Sequence, residues 1–590
     1  MDIKSESKEF PYPGGNFPLK DVGDSIMYSQ PIEADRKLFP TLELLEARRP
    51  PLVEAAGFRF RNLELARFAR ENYTLEEIVA LQDHMRTSSA LRVTIQDAYL
   101  MTSDGVRQDI RTIGAATRET GGEMSGALWV RDQTQCASSM MEMYVLDPHK
   151  YVVEGKDAKD IFLSLLTIMS TPSQLSRFQA MIKKGHDPNF RNNSANWPYI
   201  FFHNNNLNTE KREGWQHKQD AWQMLVRDIE RAIETGIISP SDIKPQHKRF
   251  LGMALPFLAA VDFLSLENAG SWEEISAVRT STLAWDVVAI QSLARLAKKP
   301  QFDFLNSAYE DNKKYLPGAY QSSNLIQAAD TMSKDGLDTI EKALPYESPN
   351  YDRDDPRYRT ADASLLYLLD LGIPQQLSER KFTDPNDLKS RDEYIRQLES
   401  SILIQVMQLS DPESGGIARY GIPGESRDSY QAENFWTNMT QKKLKEFYSN
   451  PTPSGDFNAV HKFIGRDRLV PSGKPAAWIH FVSQISGWAS RRYIETNNPY
   501  YYNVAQTFLN RILSTVTGEN EYSVVIDNNK LVAQNIPPNR VTECYVTVSD
   551  PNEKKLVFPS PHTPLNWGIK KTAEALALFH QAVKYKIKRE

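Results

Sequence analysis

Apolar residues recur at helical spacing along much of this chain. Ile78, Val79, Leu81 and Met85 follow Thr74-Leu-Glu-Glu77, a capping-box pattern that starts a helix. Trp222, Leu225, Ile229 and Ile233 predict a helix over 219–235, and Leu283, Val287, Ile290 and Leu293 predict another over 282–297. Ile395, Leu398, Ile402, Val406 and Leu409 share one stripe over 392–409, and a last helix is expected over 569–585. The most apolar stretch, 250–266, is broken by Pro256 and Asp262. It is too short to span a bilayer and predicts a bent core helix or a buried helix pair. Period-two alternation is scarce, and 521–533 is the best hairpin candidate. The body is therefore expected to be mainly α. Residues 1–70, rich in Pro, Gly and charge, are expected to form an extension packed on a main body of residues 71–590.

Composition narrows the function classes. The chain has 590 residues, with 70 Lys and Arg against 75 Asp and Glu, a formal charge of −5. No basic tract dominates, so a nucleic-acid partner is not expected, nor is a membrane. Aromatic residues make up 10%, enough to supply stacking rings beyond the core. Two cysteines, Cys136 and Cys544, make no disulfide scaffold. The N-terminus carries no apolar h-region, so the default location is cytoplasmic, with signal-independent export, including into a host cell, as the alternative. There is no P-loop, dinucleotide fingerprint or His-Glu-x-x-His, and the ten histidines do not cluster at ligand spacing. No cofactor and no metal are expected; the oligomeric state is open.

The chemistry-bearing residues lie in separate motifs. Trp272-Glu273-Glu274 pairs two carboxylates behind an indole. Upstream stand Trp129-Val130-Arg131-Asp132 and a segment from Trp215 through Gln219 to Asp220. Downstream come the string Asp362 to Leu366, Arg419-Tyr420, Asp428-Ser429-Tyr430 with Trp436, Glu543, and Asn566-Trp567. Two separated carboxyl groups suit glycoside hydrolysis. One protonates the leaving oxygen and the other activates water, at a spacing of about 6.5–9.5 Å in inverting enzymes. The plainer reading of Glu273-Glu274 is a solvated helix start, and that of Arg131-Asp132 a structural ion pair. Each aromatic has core packing as its alternative.

These motifs, in this order, resemble the glucoamylase family, glycoside hydrolase family 15, which includes relatives of the phosphorylase kinase α-subunit. The resemblance implies an (α/α)6 barrel, the six-hairpin toroid. It implies an exo-acting α-glucan hydrolase that frees glucose from the non-reducing ends of glycogen, starch or maltodextrin. Glu273 would be the general acid and Glu543 the base, with Glu519, Glu521 and Glu553 as competitors for the base. Arg131 and Asp132 would hold the terminal glucose. Trp129, Trp215, Gln219, Asp220, Trp272, Glu274, Arg419, Tyr420 and Trp567 would complete the substrate site, with Asp220 acting behind the residues that touch sugar. Gly270 and the run Ser276-Ala277-Val278-Arg279 depart from the family pattern. The same family also holds trehalases and α-1,6-glucosidases, and a catalytically silent glucan-binding module is the alternative of another class.

Overall fold

The structure is a computed structural model. It describes residues 37–38, 52–88, 90–91, 93, 95–101, 107–114, 127–203, 219–272, 276–353, 355, 357–384, 387–421, 470–471, 476–527, 530–549, 555–560, 563 and 565–589. The chain divides into two compact units. The flanking unit comprises Met1–Thr94, Gly114–Ala127 and Ser410–Glu590; the central unit comprises Ile95–Ile113 and Leu128–Leu409. The described residues are mainly helical, and the longer elements are numbered below in chain order.

In the flanking unit, α1 (Leu75–Thr87) begins at the predicted capping box. Thr74 Oγ1 accepts from Glu77 N–H, and the Glu77 carboxylate accepts from Thr74 N–H. Ile78, Leu81 and Met85 form its one buried stripe. Just before it, Asn62 Nδ2 donates to Thr517 O at 3.0 Å and Tyr73 Oη donates to Asn510 Oδ1 at 2.6 Å.

The central unit starts with an antiparallel hairpin, β1 (Ile95–Met101) and β2 (Arg107–Ile113). Gln96 and Asp97 interrupt the alternation in β1, which hides it from a period-two reading. Helices α2 (Val130–Leu146), α3 (Val152–Met169), α4 (Pro172–Lys184), α5 (Asp220–Glu234) and α6 (Pro245–Ala260) follow. Then come α7 (Thr280–Ala297), α8 (Phe304–Asn312), α9 (Leu325–Ala343), α10 (Ile373–Lys381) and α11 (Leu388–Met407). The pairs α2–α3 and α7–α9 pack together, and α2, α5 and α7 lie side by side as a layer. Helices α2 and α7 are buried on nearly every face, as members of an inner layer must be. Gly336 permits the α7–α9 approach, because a Cβ there would sit 2.3 Å from Val287 Cγ2. The broken apolar stretch resolves as one buried helix, α6, with Pro256 inside it; the chain then leaves through Asp262 at φ +54°.

The flanking unit resumes with α12 (His480–Thr496) and α13 (Pro499–Ser514). The predicted hairpin is present as β3 (Glu521–Asp527) and β4 (Lys530–Ile536). Strands β5 (Cys544–Ser549) and β6 (Lys555–Pro559) pair antiparallel, and α14 (Asn566–Arg589) closes the chain. Helices α12 and α14 are buried along most of their length and pack on each other, with α1 and α13 against them. Helices thus pack in pairs within each unit. The helices predicted over 219–235 and 282–297 match within two residues. The 392–409 and 569–585 helices start four and three residues earlier than predicted, at Leu388 and Asn566.

Candidate active site

In the central unit, three of the motifs meet at helix N-termini. Trp129 is the N-cap of α2, so Arg131 and Asp132 lie in its first turn. Asp220 opens α5, and Arg279 is the N-cap of α7. Arg131 Nη1 lies 3.5 Å from Asp220 Oδ2 and donates to Gly270 O at 3.5 Å, and its Nε is 3.8 Å from Asp132 Oδ1. Asp220 Oδ2 also accepts from Ser271 Oγ at 3.3 Å. One guanidinium is therefore flanked by two carboxylates, both in the first turns of helices where the peptide dipoles favour negative charge. Arg131 and Asp220 are buried, and Asp132 is partly open.

The loop that carries Trp272 is fixed at several points. Asn268 and Ala277 pair as an antiparallel bridge and close the loop at its base. Gly270 takes φ +62°, and a Cβ there would meet the Arg279 side chain at 2.3 Å, so glycine is required on both counts. Trp272 Nε1 donates to Asp362 Oδ1 at 2.7 Å. Asp362 also accepts from Ser364 N–H and Oγ and from Arg359 Nη1. Behind it lies Glu347, fully buried, which accepts from Ser281 N–H at 3.0 Å and Oγ at 2.5 Å. Burial first, and then the charge of Asp362, push the Glu347 carboxyl up to about 8. Glu273, Glu274 and Trp215 lie outside the described residues.

The other central residues behave differently from one another. Trp129 packs its ring 4.3 Å from that of Phe201, centroid to centroid. Gln219 donates Nε2 to Asp286 Oδ1 at 2.7 Å, beside a second amide from Gln223. Burial, with Asp220 adding to it, raises the Asp286 carboxyl well above its ordinary value. Tyr367, the residue that follows the Asp362–Leu366 string, lies in the field of Arg131, Asp220 and Asp132; burial pushes its phenol up.

The flanking unit holds the remaining motifs. The short strand at Ala477–Trp478 is paired on both sides, Trp478 with Ile417 and Cys544, and Ala477 with Ala418 and Tyr545. Glu543 directly precedes the paired Cys544, and Arg419 directly follows the paired Ala418. Glu543 is 2% exposed and accepts from Ser560 Oγ at 2.5 Å, while its own N–H donates to Thr563 Oγ1 at 3.4 Å. Cys544 Sγ is 4.0 Å from Glu543 Oε2. Cys136, four residues after Asp132, is also buried. Trp567, at the start of α14, lies over the His480 ring at 4.2 Å. Arg419 sits between Tyr420 and Trp478, 5.7 and 5.9 Å from their ring centroids.

Arg511 holds the turn before Arg419. It donates to Gly415 O, Gly416 O and Ser410 Oγ, and burial lowers it to about 10. Among the competitors for the base, Glu521 is locked 3.3 Å from Arg61 in a fully buried pair, and Glu519 is exposed. Glu553, Asp428, Ser429, Tyr430 and Trp436 lie outside the described residues.

Several residues at these clusters had no assigned role in the sequence. Ser271 and Asp362 stood inside recognised motifs, so their positions were signalled although their partners were not. Ser560 had no signal, because its approach to Glu543 depends on the pairing of β5 with β6. Among the described residues no three His, Cys, Asp or Glu side chains group as metal ligands, and no helix is long and apolar enough to cross a membrane.

No protein-family model and no curated protein matches the chain. Solved structures resemble it in fold outline. A wild-type glycosidase aligns at TM-score 0.47 and 11% identity, covering 87% of this chain and all of its own. A glucoamylase from Saccharomycopsis fibuligera aligns at TM-score 0.43 and 11% identity, covering 90% of this chain and 98% of its own. A D-mannose isomerase aligns at TM-score 0.36 and 10% identity, covering 85% and 97%. These are distant likenesses of shape, to hydrolases and an isomerase alike.

Proposed function

We propose that this chain is a glycoside hydrolase, an exo-acting glucan 1,4-α-glucosidase that releases glucose from non-reducing ends with inversion. The observation that carries the reading is the bonded cluster Arg131–Asp220–Ser271–Gly270. It joins three motifs separated by 139 residues of chain and holds the loop that leads into Glu273.

In this reading Arg131 and Asp132 take the hydroxyls of the terminal glucose, through forked donors and a double acceptor. Glu273 gives its proton to the glycosidic oxygen as the bond from C1 breaks. Glu543, steadied by Ser560, takes a proton from the water that attacks C1 from the opposite face, so the product is β-glucose. Asp220 holds Arg131, and Asp362 holds the indole beside Glu273. Trp215, Glu274, Arg419, Tyr420 and Trp567 line the path of the glucan, and residues 1–70 pack as an extension on the body formed by 71–590. The reading takes a cytoplasmic glucan as substrate.

Glucose release from maltotetraose, trehalose and isomaltose tests it. Maltotetraose is expected to be cleaved fastest. Faster cleavage of trehalose or isomaltose would assign another linkage, and binding without any cleavage would make the chain a silent glucan-binding module.

A further inference from the structure

A cavity of about 1200 Å³ lies in the central unit along α4, walled by the first half of α6 and by α8, and none of the motif residues lines it. We propose that it is a second binding site, for a neutral oligosaccharide. The assignment to α-glucan rests on the function proposed above; that the ligand is neutral, hydroxyl-rich and longer than one ring does not.

Length is the first argument. The lining follows α4 from Ser173 to Lys183, about 15 Å at the rise of an α-helix, which suits several linked rings better than one. Chemistry is the second. The amides of Gln108, Gln179, Gln246 and Asn312 line it, and each offers both donors and an acceptor, as vicinal hydroxyls require. Tyr199 stands near the start of α4 and Tyr315 near its end, with Lys183 Nζ 6.0 Å from the Tyr315 ring. Leu100, Leu175 and Met253 add apolar wall for the C–H faces of sugar rings. The charged lining residues, Lys183, Arg249 and Asp311, are all exposed and of mixed sign, a poor match for a phosphate or carboxylate.

The lining is also built in advance. Gln174 clamps the Tyr199 backbone from both sides, donating to its O at 2.6 Å and accepting from its N–H at 2.8 Å. Arg177 stacks 3.9 Å over the Tyr199 ring and bonds its hydroxyl. Gln179 donates to Asn312 Oδ1 at 3.1 Å, and Asn312 donates to Ala308 O at 2.8 Å. Polar groups fixed before a ligand arrives reduce the ordering cost of binding.

The test uses the full chain and the variants Tyr315→Ala and Gln179→Ala, with Gln246→Ala as a third should either fail to fold by circular dichroism. Titration calorimetry with maltoheptaose and mobility in glycogen-containing native gels report binding, and kcat/KM on maltotriose reports the catalytic site. Each variant is expected to weaken glycogen retention about tenfold and to lose one class of maltoheptaose sites, with maltotriose turnover unchanged. Unchanged glycogen retention would overturn the proposal. So would a parallel fall in maltotriose turnover, which would merge the cavity with the catalytic site, or displacement of maltoheptaose by inorganic phosphate. Variant-sensitive binding in a chain that cleaves no glucan would keep the second site and remove the proposed function.

Discussion

The two clusters are built on opposite terms. In the central unit, charge is neutralised locally. Arg131 lies between Asp220 and Asp132 at adjacent helix N-termini, and a glycine turn and the Trp272–Asp362 bond hold the loop in between. In the flanking unit, Glu543 directly precedes the strand residue Cys544 and accepts from the Ser560 hydroxyl, while Arg419 lies near the rings of Tyr420 and Trp478. The first cluster binds its own parts together; in the proposed function the same residues also hold sugar. The second holds one buried carboxylate against a hydroxyl. Mutations in the two should therefore divide: in the central cluster stability and activity fall together, and at Glu543 activity falls alone.

The largest effect is expected from Glu543→Gln. Loss of a general base costs about 10²–10⁴ in turnover, on maltotetraose and on a glucosyl fluoride alike, with the melting temperature nearly unchanged. Glu273→Gln should cost as much on maltotetraose but far less on the fluoride, whose leaving group needs no proton. Equal losses on both substrates would remove Glu273 from the acid role. Asp220→Asn comes next. Breaking a buried ion pair by removing one partner costs about 3–5 kcal/mol, and the isosteric amide should fall below that range. Urea unfolding and kcat/KM should drop together. A variant with full stability and lost activity would erase the contrast between the clusters.

Trp272→Phe keeps the ring but removes the bond to the buried Asp362. Asp362 keeps its bonds from Ser364 and Arg359, so the cost is that of one hydrogen bond to a carboxylate, about 1.5–3 kcal/mol, and kcat is expected to fall more than KM rises as the loop loosens. The smallest effect is a pH dependence in the central unit. The Glu347 carboxyl is raised from 4.5 to about 8 in the folded chain, so the folded state holds a proton that the unfolded state releases. Its contribution is full below pH 4.5 and is lost as pH rises toward about 8. Glu347→Gln, which mimics the neutral acid, should flatten the fall in melting temperature over that window. An unchanged slope would assign the fall to other groups.

How much of this was legible followed the same division. Helices α5 and α7 were visible because their stripes, Trp222 to Ile233 and Leu283 to Leu293, keep helical spacing on their most buried faces. Helix α2 was not, since a helix buried all round, with Ser138, Ser139 and Gln135 among its buried residues, has no polar face to set the period. Arg131 and Asp220 were legible as motif residues, but their direct bond was not, because 89 residues separate them. At the other cluster Glu543 is singled out by the order of motifs alone. Its partner Ser560 lies across a strand pairing that alternation did not reveal, and the buried pair of Glu521 with Arg61 was likewise not legible.

The central claim of the proposed function is that Glu273 and Glu543 cleave a glycosidic bond with inversion, through an attacking water. The anomeric form of the first glucose released from maltotetraose, followed by proton NMR before mutarotation, tests it most directly. The account predicts β-glucose. Early α-glucose would mean retention through a covalent intermediate and would remove Glu543 as a water-activating base.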